Sequence, residues 1–371
     1  MLNESGESIT KPTEPALRVA INGYGRIGRN VLRALYEDQL LGRNNLAIDQ
    51  TVGRNIEIVA INELGALDSV AHLTRYDSTH GVFQLPVDVD VEASTLQIAD
   101  HCIQVLNIED PEDCPWGQLD IDVVLECTGV FRSRDDAGRH IKAGAKRVVI
   151  GAVAFDEVDN TLLYGINHEQ FSQQDRIISS ASCTTHCLAP LLSVLHKQWG
   201  VENALMTEIH AYTSDQHLLD KMHRDLRRAR AGAQNLIPTT SSSIGAIQQV
   251  LPFMQGRIDG YSMRVPTVNV AAVDLTLQLA CTSSAINSVS ADEITELMVN
   301  AAKNDLRGIL GICHEPLVSS DFIHRTESAI YDATQTTVLG PMIKLTAWYD
   351  NEWGYTHRLL DLLETIRERT V

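Results

Sequence analysis

The features that this 371-residue sequence lacks narrow the kinds of protein it can be. No stretch approaches 18 uninterrupted apolar residues, so the sequence predicts no membrane span. The first residues include acidic side chains and no apolar segment of the kind that a secretory signal peptide requires. The seven cysteines are odd in number and lack the dense spacing of a disulfide scaffold, which favours reduced thiols and a cytoplasmic location.

Positive charge is also scarce. The chain has 30 Lys and Arg against 48 Asp and Glu, for a net charge of -18, which argues against a nucleic-acid partner. An acidic protein that binds an anionic substrate needs local arginines or lysines to offset the negative electrostatic field of its net charge. The length exceeds what one hydrophobic core usually spans, so we expect two domains.

A glycine-rich segment follows the first predicted strand, residues 17–21. It has the pattern G-x-G-x-x-G, and a helix with apolar residues at helical spacing comes directly after it. The glycines permit a tight turn and close backbone approach, and the helix N-terminus can receive a pyrophosphate. The context predicts a dinucleotide site at Gly23, Gly25, Arg26, Ile27 and Gly28.

The second predicted strand, residues 56–62, is followed by an acidic residue, Glu63. A carboxylate there can accept hydrogen bonds from ribose hydroxyls and repels a 2′-phosphate, which predicts NAD rather than NADP. Glu63 lies further from Gly28 than the usual spacing of about 20 residues. Residues 41–55, which show no clear periodicity, are interpreted as a surface insertion that accounts for the excess. The alternative is an ordinary solvated glutamate at a strand end.

Strands and helices then alternate up to about residue 182. Short runs at 87–91, 95–98 and 102–106 predict hairpins. Two buried strands follow, one running into Thr128 and Gly129 and the other ending at Gly151. This alternation predicts an α/β fold with a Rossmann-type, doubly wound sheet. Beyond residue 183 the pattern changes to an α+β region with a largely antiparallel sheet.

A cysteine stands at the start of the helix that opens the second region. Residues 176–178 end a strand, residues 188–195 have helical spacing, and Ser182 or a close neighbour can cap the helix. Free N–H groups and the positive end of the helix dipole favour a thiolate at Cys183, and the thiolate is the nucleophilic form. Taken alone, a buried structural cysteine is the commoner explanation.

Other polar side chains join this cysteine only through the fold. His210 ends a strand 27 residues later and is a candidate base for Cys183. The loop 211–235 is polar and rich in arginine, which suits phosphate binding because the guanidinium group is a bidentate donor. Cys183, His186 and Cys187 could also suggest a metal site, but four ligands are needed and no second cluster lies at suitable spacing, so no metal is predicted.

Six segments carry a resemblance to a known family: residues 22–29, 180–185, 209–213, 225–230, 263–267 and 348–355. In this order along the chain they together resemble the glyceraldehyde-3-phosphate dehydrogenase family, and the related erythrose-4-phosphate dehydrogenases share most of them. The resemblance runs from about residue 17 to the C-terminus.

The resemblance implies a role for each matching position. Cys183 would be the nucleophile and His210 the base, with Asn351 and Tyr355 flanking the nicotinamide. Thr128, Gly129 and Gly151 join the predicted NAD contacts. The substrate phosphate and incoming inorganic phosphate would lie near Ser182, Thr184, Thr213, Arg228, Ser241 and Arg264.

Three positions depart from the family pattern. His186 replaces the usual Asn, Ser241-Ser242 replaces Thr-Gly, and residues 151–153 replace Ser-x-Pro. Thr213 is the triose-type residue where erythrose enzymes usually have Met, whereas residues 62–64, 73–81 and 265–270 look more like the erythrose enzyme. Glyceraldehyde 3-phosphate with phosphate as acceptor is the preferred prediction, and erythrose 4-phosphate with water is the alternative. A nucleotide-sensing or RNA-binding module without activity is a distant third.

The resulting domain prediction has a disordered tail at 1–16 and an NAD-binding domain at 17–182. A catalytic domain covers 183–350, and the C-terminal helix, within 353–371, packs back on the first domain. The expected partners are an aldehyde phosphate and inorganic phosphate. The resemblance also implies a homotetramer, with the loop 211–235 at a subunit interface.

Overall fold

A computed structural model describes residues 15–41, 54–280 and 289–370. Most of the predicted tail and most of the predicted insertion at 41–55 lie outside the described residues. No helix in the described ranges is both long and apolar enough to cross a membrane.

The first region, up to residue 182, is built on a sheet that is parallel except at one edge. Its strands, and a small hairpin beside it, are β1 (Leu17–Asn22), β2 (Ile56–Asn62), β3 (Tyr76–Asp77), β4 (Gly81–Val82), β5 (Val87–Asp90), β6 (Thr95–Ile98), β7 (His101–Leu106), β8 (Val123–Glu126), β9 (Arg147–Ile150), β10 (Asn160–Thr161) and β11 (Ile177–Ser179). Its helices are α1 (Arg26–Leu41), α2 (Leu67–Arg75) and α3 (Arg134–Lys142).

The strand order of this sheet creates a crevice at β1. Within the described residues the sheet has nine strands in the order β10-β11-β9-β8-β1-β2-β7-β6-β5. β1 pairs in parallel with β2 on one side and with β8 on the other, so the strand order across the sheet reverses at β1, although these strands all run in the same direction. Ligands of open α/β sheets bind at such a switch point, beyond the carboxyl ends of the strands.

Two glycines let the chain turn sharply from β1 into α1. Gly23 has a φ of +88°, and a Cβ there would lie 2.6 Å from the backbone nitrogen of Thr128. A Cβ on Gly28 would lie 2.3 Å from the carbonyl oxygen of Gly23. Larger residues at either position would force the turn open, so these glycines are required by the local fold itself.

The second region contains a mixed, largely antiparallel sheet. Its strands are β12 (Val201–Ala211), β13 (Ile237–Thr239), β14 (Ile258–Val265), β15 (Ala271–Leu279), β16 (Leu310–Cys313), β17 (Ala329–Asp332), β18 (Thr337–Leu339) and β19 (Met342–Tyr349). The order is β13-β14-β12-β15-β19-β17-β16, with β18 on β19, and β12 pairs β14 in parallel. The helices of this half are α4 (Cys183–Trp199), α5 (Ser243–Val250), α6 (Ala291–Lys303) and α7 (Trp353–Thr370). The predicted fold class is confirmed.

Helices α4 and α7 bring the two halves together. The apolar side of α4 shares a buried cluster with the strands of the second sheet, through residues such as Leu188 and Leu191. Helix α7 shares the other main cluster with β1 and α1, where Leu359 and Leu363 meet Leu32. Cys183 lies at the margin of both clusters, because α4 begins where they meet.

Candidate active site

The segment before α4 presents Cys183 at the first turn of the helix. Ser182 caps α4: its Oγ accepts a hydrogen bond from the Thr185 N–H at 3.0 Å, as the sequence predicted. Ala181 has a φ of +52°, a conformation that a non-glycine residue rarely adopts and that costs about 1–3 kcal/mol. The Tyr355 hydroxyl donates to the Ala181 carbonyl at 3.1 Å and holds this strained turn.

The structure brings His210 to Cys183. The Cys183 Sγ lies 3.6 Å from the His210 Nε2. His210 is the penultimate residue of β12 and is directly paired, across the parallel ladder, with Arg264 of β14. The other ring nitrogen, Nδ1, lies 2.6 Å from the Ala211 carbonyl oxygen and 2.7 Å from Arg264 Nη1.

Burial and neighbouring charges favour the uncharged forms of this pair. Burial, with the nearby Glu208 carboxylate, raises the pKa of Cys183 to about 12. Burial and the Arg264 guanidinium lower the pKa of His210 to about 4. A charge on one group alone is therefore unfavourable, whereas proton transfer between them creates two opposite charges in direct contact. The thiolate and the imidazolium are expected to form and disappear together.

The residues predicted for phosphate binding fall into two groups. Arg264 keeps a buried Nε with no hydrogen-bond partner among the described residues, and Thr213 lies two residues beyond the end of β12 with its hydroxyl 3.3 Å from Gln216. Ser241 is half-buried and accepts from the Ser243 N–H at 3.2 Å. These three positions retain capacity for an anion.

The other three are engaged within the protein. The Thr184 hydroxyl is buried 2.7 Å from the Tyr349 hydroxyl, and Ser182 Oγ is 2.8 Å from Ser243 Oγ. The Arg228 guanidinium donates to Asp215, Thr239 and the Thr240 carbonyl. An anion would have to displace some of these contacts.

The predicted cofactor residues surround the crevice at β1. A Cβ on Gly25 would meet nothing within 4 Å, so the turn is open on that side. Glu63 Oε2 accepts from the Tyr24 N–H at 2.8 Å, which ties the end of β2 to the glycine turn. Gly129 (φ +74°) is likewise open, and the Gly151 N–H donates to the Glu126 carbonyl.

Three more of the predicted cofactor residues, Arg26, Ile27 and Asn351, have contrasting surroundings. The Arg26 guanidinium forms ion pairs with Asp77 and Glu352 and so joins the glycine turn to the start of α7. Ile27 packs at the edge of the neighbouring apolar cluster. Asn351 is buried, and its Oδ1 has no partner among the described residues. An orphaned acceptor beside the crevice is the kind of group that a ligand amide would satisfy.

Sequence reasoning missed two residues that contact this site. Glu208 is buried two positions before His210, and its Oε1 lies 3.9 Å from His210 Nε2. The period of two along β12 could have indicated that both face the same side. Tyr349 packs edge-on against the His210 ring, with centroids 6.1 Å apart, and no local signal predicts that contact.

Comparison with known proteins identifies the family to which the chain belongs. Residues 17–134 match the family described as glyceraldehyde 3-phosphate dehydrogenase, NAD binding domain, and residues 182–351 match its C-terminal domain. The chain belongs to the glyceraldehyde-3-phosphate dehydrogenase family. It is therefore an NAD-binding aldehyde dehydrogenase, and the recognition of the family from the sequence is confirmed.

Curated members of the family match over nearly the whole chain. The plasmid-encoded glyceraldehyde-3-phosphate dehydrogenase of Cupriavidus necator is 46% identical over 345 residues, covering 93% of this chain and 97% of that protein. The Pseudomonas aeruginosa enzyme is also 46% identical, covering 93% of this chain and 96% of its own. The Geobacillus stearothermophilus enzyme is 43% identical over 95% of this chain and 99% of its own.

Proposed function

We propose that this chain oxidises glyceraldehyde 3-phosphate with NAD and inorganic phosphate to give 1,3-bisphosphoglycerate. The observation that carries this proposal is the 3.6 Å approach of Cys183 Sγ to His210 Nε2, with Arg264 against the same histidine. A sulfur nucleophile, a base and a cation for an anionic substrate are what such an oxidation requires.

The steps follow from the pairing of the two groups. His210 takes the Cys183 proton, the sulfur attacks the aldehyde carbon, and the proton returns to the new alkoxide to give a hemithioacetal. His210 then takes the hydroxyl proton as hydride leaves the same carbon, which produces a thioester. Bound NAD supplies the hydride acceptor. A phosphate oxygen attacks the thioester carbonyl, the carbon–sulfur bond breaks, and Cys183 leaves as the thiolate.

The residues of the crevice fit NAD. We assign the pyrophosphate to the glycine turn, where Gly25 leaves open space, and the adenosine ribose to the Glu63 carboxylate. Asn351 Oδ1, unpartnered among the described residues, suits the nicotinamide amide, and Tyr355, which bonds the Ala181 carbonyl beside Cys183, is assigned to the same ring. The remaining contacts are assigned to Gly23, Arg26, Ile27, Gly28, Thr128, Gly129 and Gly151.

The residues near His210 suit two phosphate groups. Arg264, with its free buried Nε, and Thr213 are assigned to the phosphate of the substrate. Ser241 is assigned to inorganic phosphate. The neighbourhood is completed by Ser182, Thr184 and Arg228, whose polar groups would have to exchange their present partners for the anion.

The alternative substrate is erythrose 4-phosphate, with water as acceptor and 4-phosphoerythronate as product. Segments 62–64, 73–81 and 265–270 favour it by resemblance. Thr213 favours the triose, because its hydroxyl can donate to a phosphate oxygen and the thioether of Met cannot. The residue expected to contact the ligand carries more weight than the scaffold.

The test is to measure kcat/KM for both aldehydes with and without added phosphate. We expect NADH formation from glyceraldehyde 3-phosphate to be faster and to depend on phosphate. Faster, phosphate-independent oxidation of erythrose 4-phosphate would replace this proposal by the alternative.

We further propose the domain division 17–182 and 183–350, with α7 packing on the first domain, and a homotetramer. The outer face of the second sheet exposes Leu205, Tyr261 and Met342, at 65%, 46% and 47%. The loop 211–235 adds Leu218 and Met222, at 79% and 97% exposure, so both surfaces suit contacts between subunits. Light scattering that gives a monomer mass would refute the oligomer.

A further inference from the structure

A buried carboxylate lies beneath the proposed cofactor crevice and is not one of the predicted site residues. Glu126 ends β8, and its side chain has no exposed surface. One oxygen, Oε2, accepts from Asn22 Nδ2 at 2.6 Å and from His140 Nε2 at 3.1 Å. The other, Oε1, accepts from the Thr128 N–H at 2.7 Å and from the Thr128 hydroxyl.

These contacts connect the ends of three neighbouring strands. Asn22 ends β1 directly before the glycine turn, and Thr128 lies in the loop that closes against Gly23. Asn22 Oδ1 also accepts from Asn62 Nδ2 at 2.7 Å, one residue before Glu63. Glu126 therefore fixes the relative positions of the segments to which we assign the pyrophosphate and the ribose.

Trp116 determines which ring nitrogen of His140 carries the proton. The Trp116 Nε1–H can only donate, and it lies 3.0 Å from His140 Nδ1. His140 Nδ1 must therefore be the acceptor, so the ring proton is on Nε2 and is donated to Glu126. The ring is fully buried, and Trp116 and Glu126 hold it from opposite nitrogens.

Several described residues surround His140. Glu126 faces it from β8, Asn22 from β1, Trp116 from the loop before β8, and Phe131 edge-on at 6.3 Å between ring centroids. Arg139 lies over the Phe131 ring and forms an ion pair with Asp110. Among these groups, Glu126 is the acceptor that faces the His140 Nε2–H.

We propose that Glu126 is a positioning residue for the NAD site and that Trp116 keeps it in that role by fixing the His140 tautomer. This inference rests on the assignment of NAD to the crevice. Its distinguishing consequence is that loss of the Trp116 donor weakens NAD binding. Without that donor the buried His140 Nδ1 has lost its hydrogen bond, so the ring is no longer held from both sides and its bond to Glu126 is weakened.

The test measures NAD dissociation constants of the full-length chain by isothermal titration calorimetry at one fixed pH. The NAD Kd of Trp116→Phe should be about threefold or more above that of the unmodified chain. Trp348→Phe is the matched control, because Trp348 Nε1 makes an equivalent 2.9 Å bond to Asp332 in the other sheet. Its NAD Kd should stay near that of the unmodified chain.

Glu126→Gln supplies a second readout. Its side-chain amide must point an NH₂ group, which cannot accept a hydrogen bond, at donors that now bond a carboxylate oxygen. The KM for NAD should therefore rise about tenfold, while kcat at saturating NAD changes less than about twofold. An NAD Kd of Trp116→Phe equal to that of the unmodified chain, or to that of Trp348→Phe, would overturn the proposal even if Glu126→Gln fails to fold. If the unmodified chain binds NAD but does not oxidise the aldehyde, that result would instead count against the proposed reaction.

Discussion

Two glycines of the turn after β1, Gly28 and Gly25, should respond differently to substitution by alanine. At Gly28 the new Cβ would lie 2.3 Å from the Gly23 carbonyl oxygen and 2.9 Å from Ile21 Cγ2. The first neighbour is backbone and can move only if the turn opens. At Gly25 the Cβ would meet nothing within 4 Å, so the substitution leaves the empty fold unaltered.

The expected magnitudes follow from these distances. Overpacking against backbone costs about 3 kcal/mol, and alanine gains about 1 kcal/mol over glycine inside a helix, so Gly28→Ala should lose about 2 kcal/mol of stability. For a domain of 150–250 residues this lowers the unfolding midpoint by about 4–8 °C. Gly25→Ala should stay within about 0.5 kcal/mol. Its methyl group would occupy the proposed pyrophosphate space, so its NAD Kd should rise at least about tenfold.

Differential scanning calorimetry and NAD titration of both variants separate the two effects. Equal midpoints for Gly28→Ala and Gly25→Ala would show that the turn relaxes and that the steric argument is wrong. A Gly25→Ala variant that binds NAD as tightly as the unmodified chain would remove the open side of the turn from the proposed site.

Four further predictions concern the reacting groups and specificity. Iodoacetamide should label Cys183 much faster than Cys187: burial raises the pKa of both thiols, but Cys183 is only partly buried and has His210 as proton acceptor, whereas Cys187 is fully buried. Comparable labelling of the two, seen by peptide mapping after a brief reaction, would show that this is wrong. His210→Asn should shift the pH dependence of Cys183 alkylation upward, because the thiolate then lacks its proton acceptor, and an unchanged profile excludes this role. kcat/KM should favour NAD over NADP in the unmodified chain and less so in Glu63→Gln, and a preference for NADP would contradict the assignment of Glu63 to the ribose. Thr213→Met should lower kcat/KM for glyceraldehyde 3-phosphate about tenfold or more, and an unchanged kcat/KM would contradict the assignment of Thr213 to the substrate phosphate.

Much of the fold could be predicted because its signals are local. β2 has the predicted bounds, Ile56–Asn62, since its apolar residues form one short run. The glycine turn and the Ser182 cap follow from steric and hydrogen-bonding rules that involve only nearby residues. The family, the fold class and NAD as cofactor were predicted correctly on this basis together with the order of the motifs.

The contacts of the site were less predictable because they join distant segments. Arg228 was placed near phosphate from its charge, but its donors bond Asp215 and Thr239, a result of how the loop folds on itself. The Trp116–His140–Glu126 chain spans three elements, and no spacing in the sequence indicates it. The roles assigned to the individual site residues stay predictions.

The central claim, a thioester on Cys183 that phosphate cleaves, can be tested on the protein itself. The enzyme is mixed with NAD and glyceraldehyde 3-phosphate without phosphate, quenched in acid, and mapped by peptide mass spectrometry. We predict a 3-phosphoglyceryl group on Cys183 that disappears when inorganic phosphate is added before the quench. An unmodified Cys183, an acyl group on another residue, or an acyl group that phosphate does not remove would contradict the account.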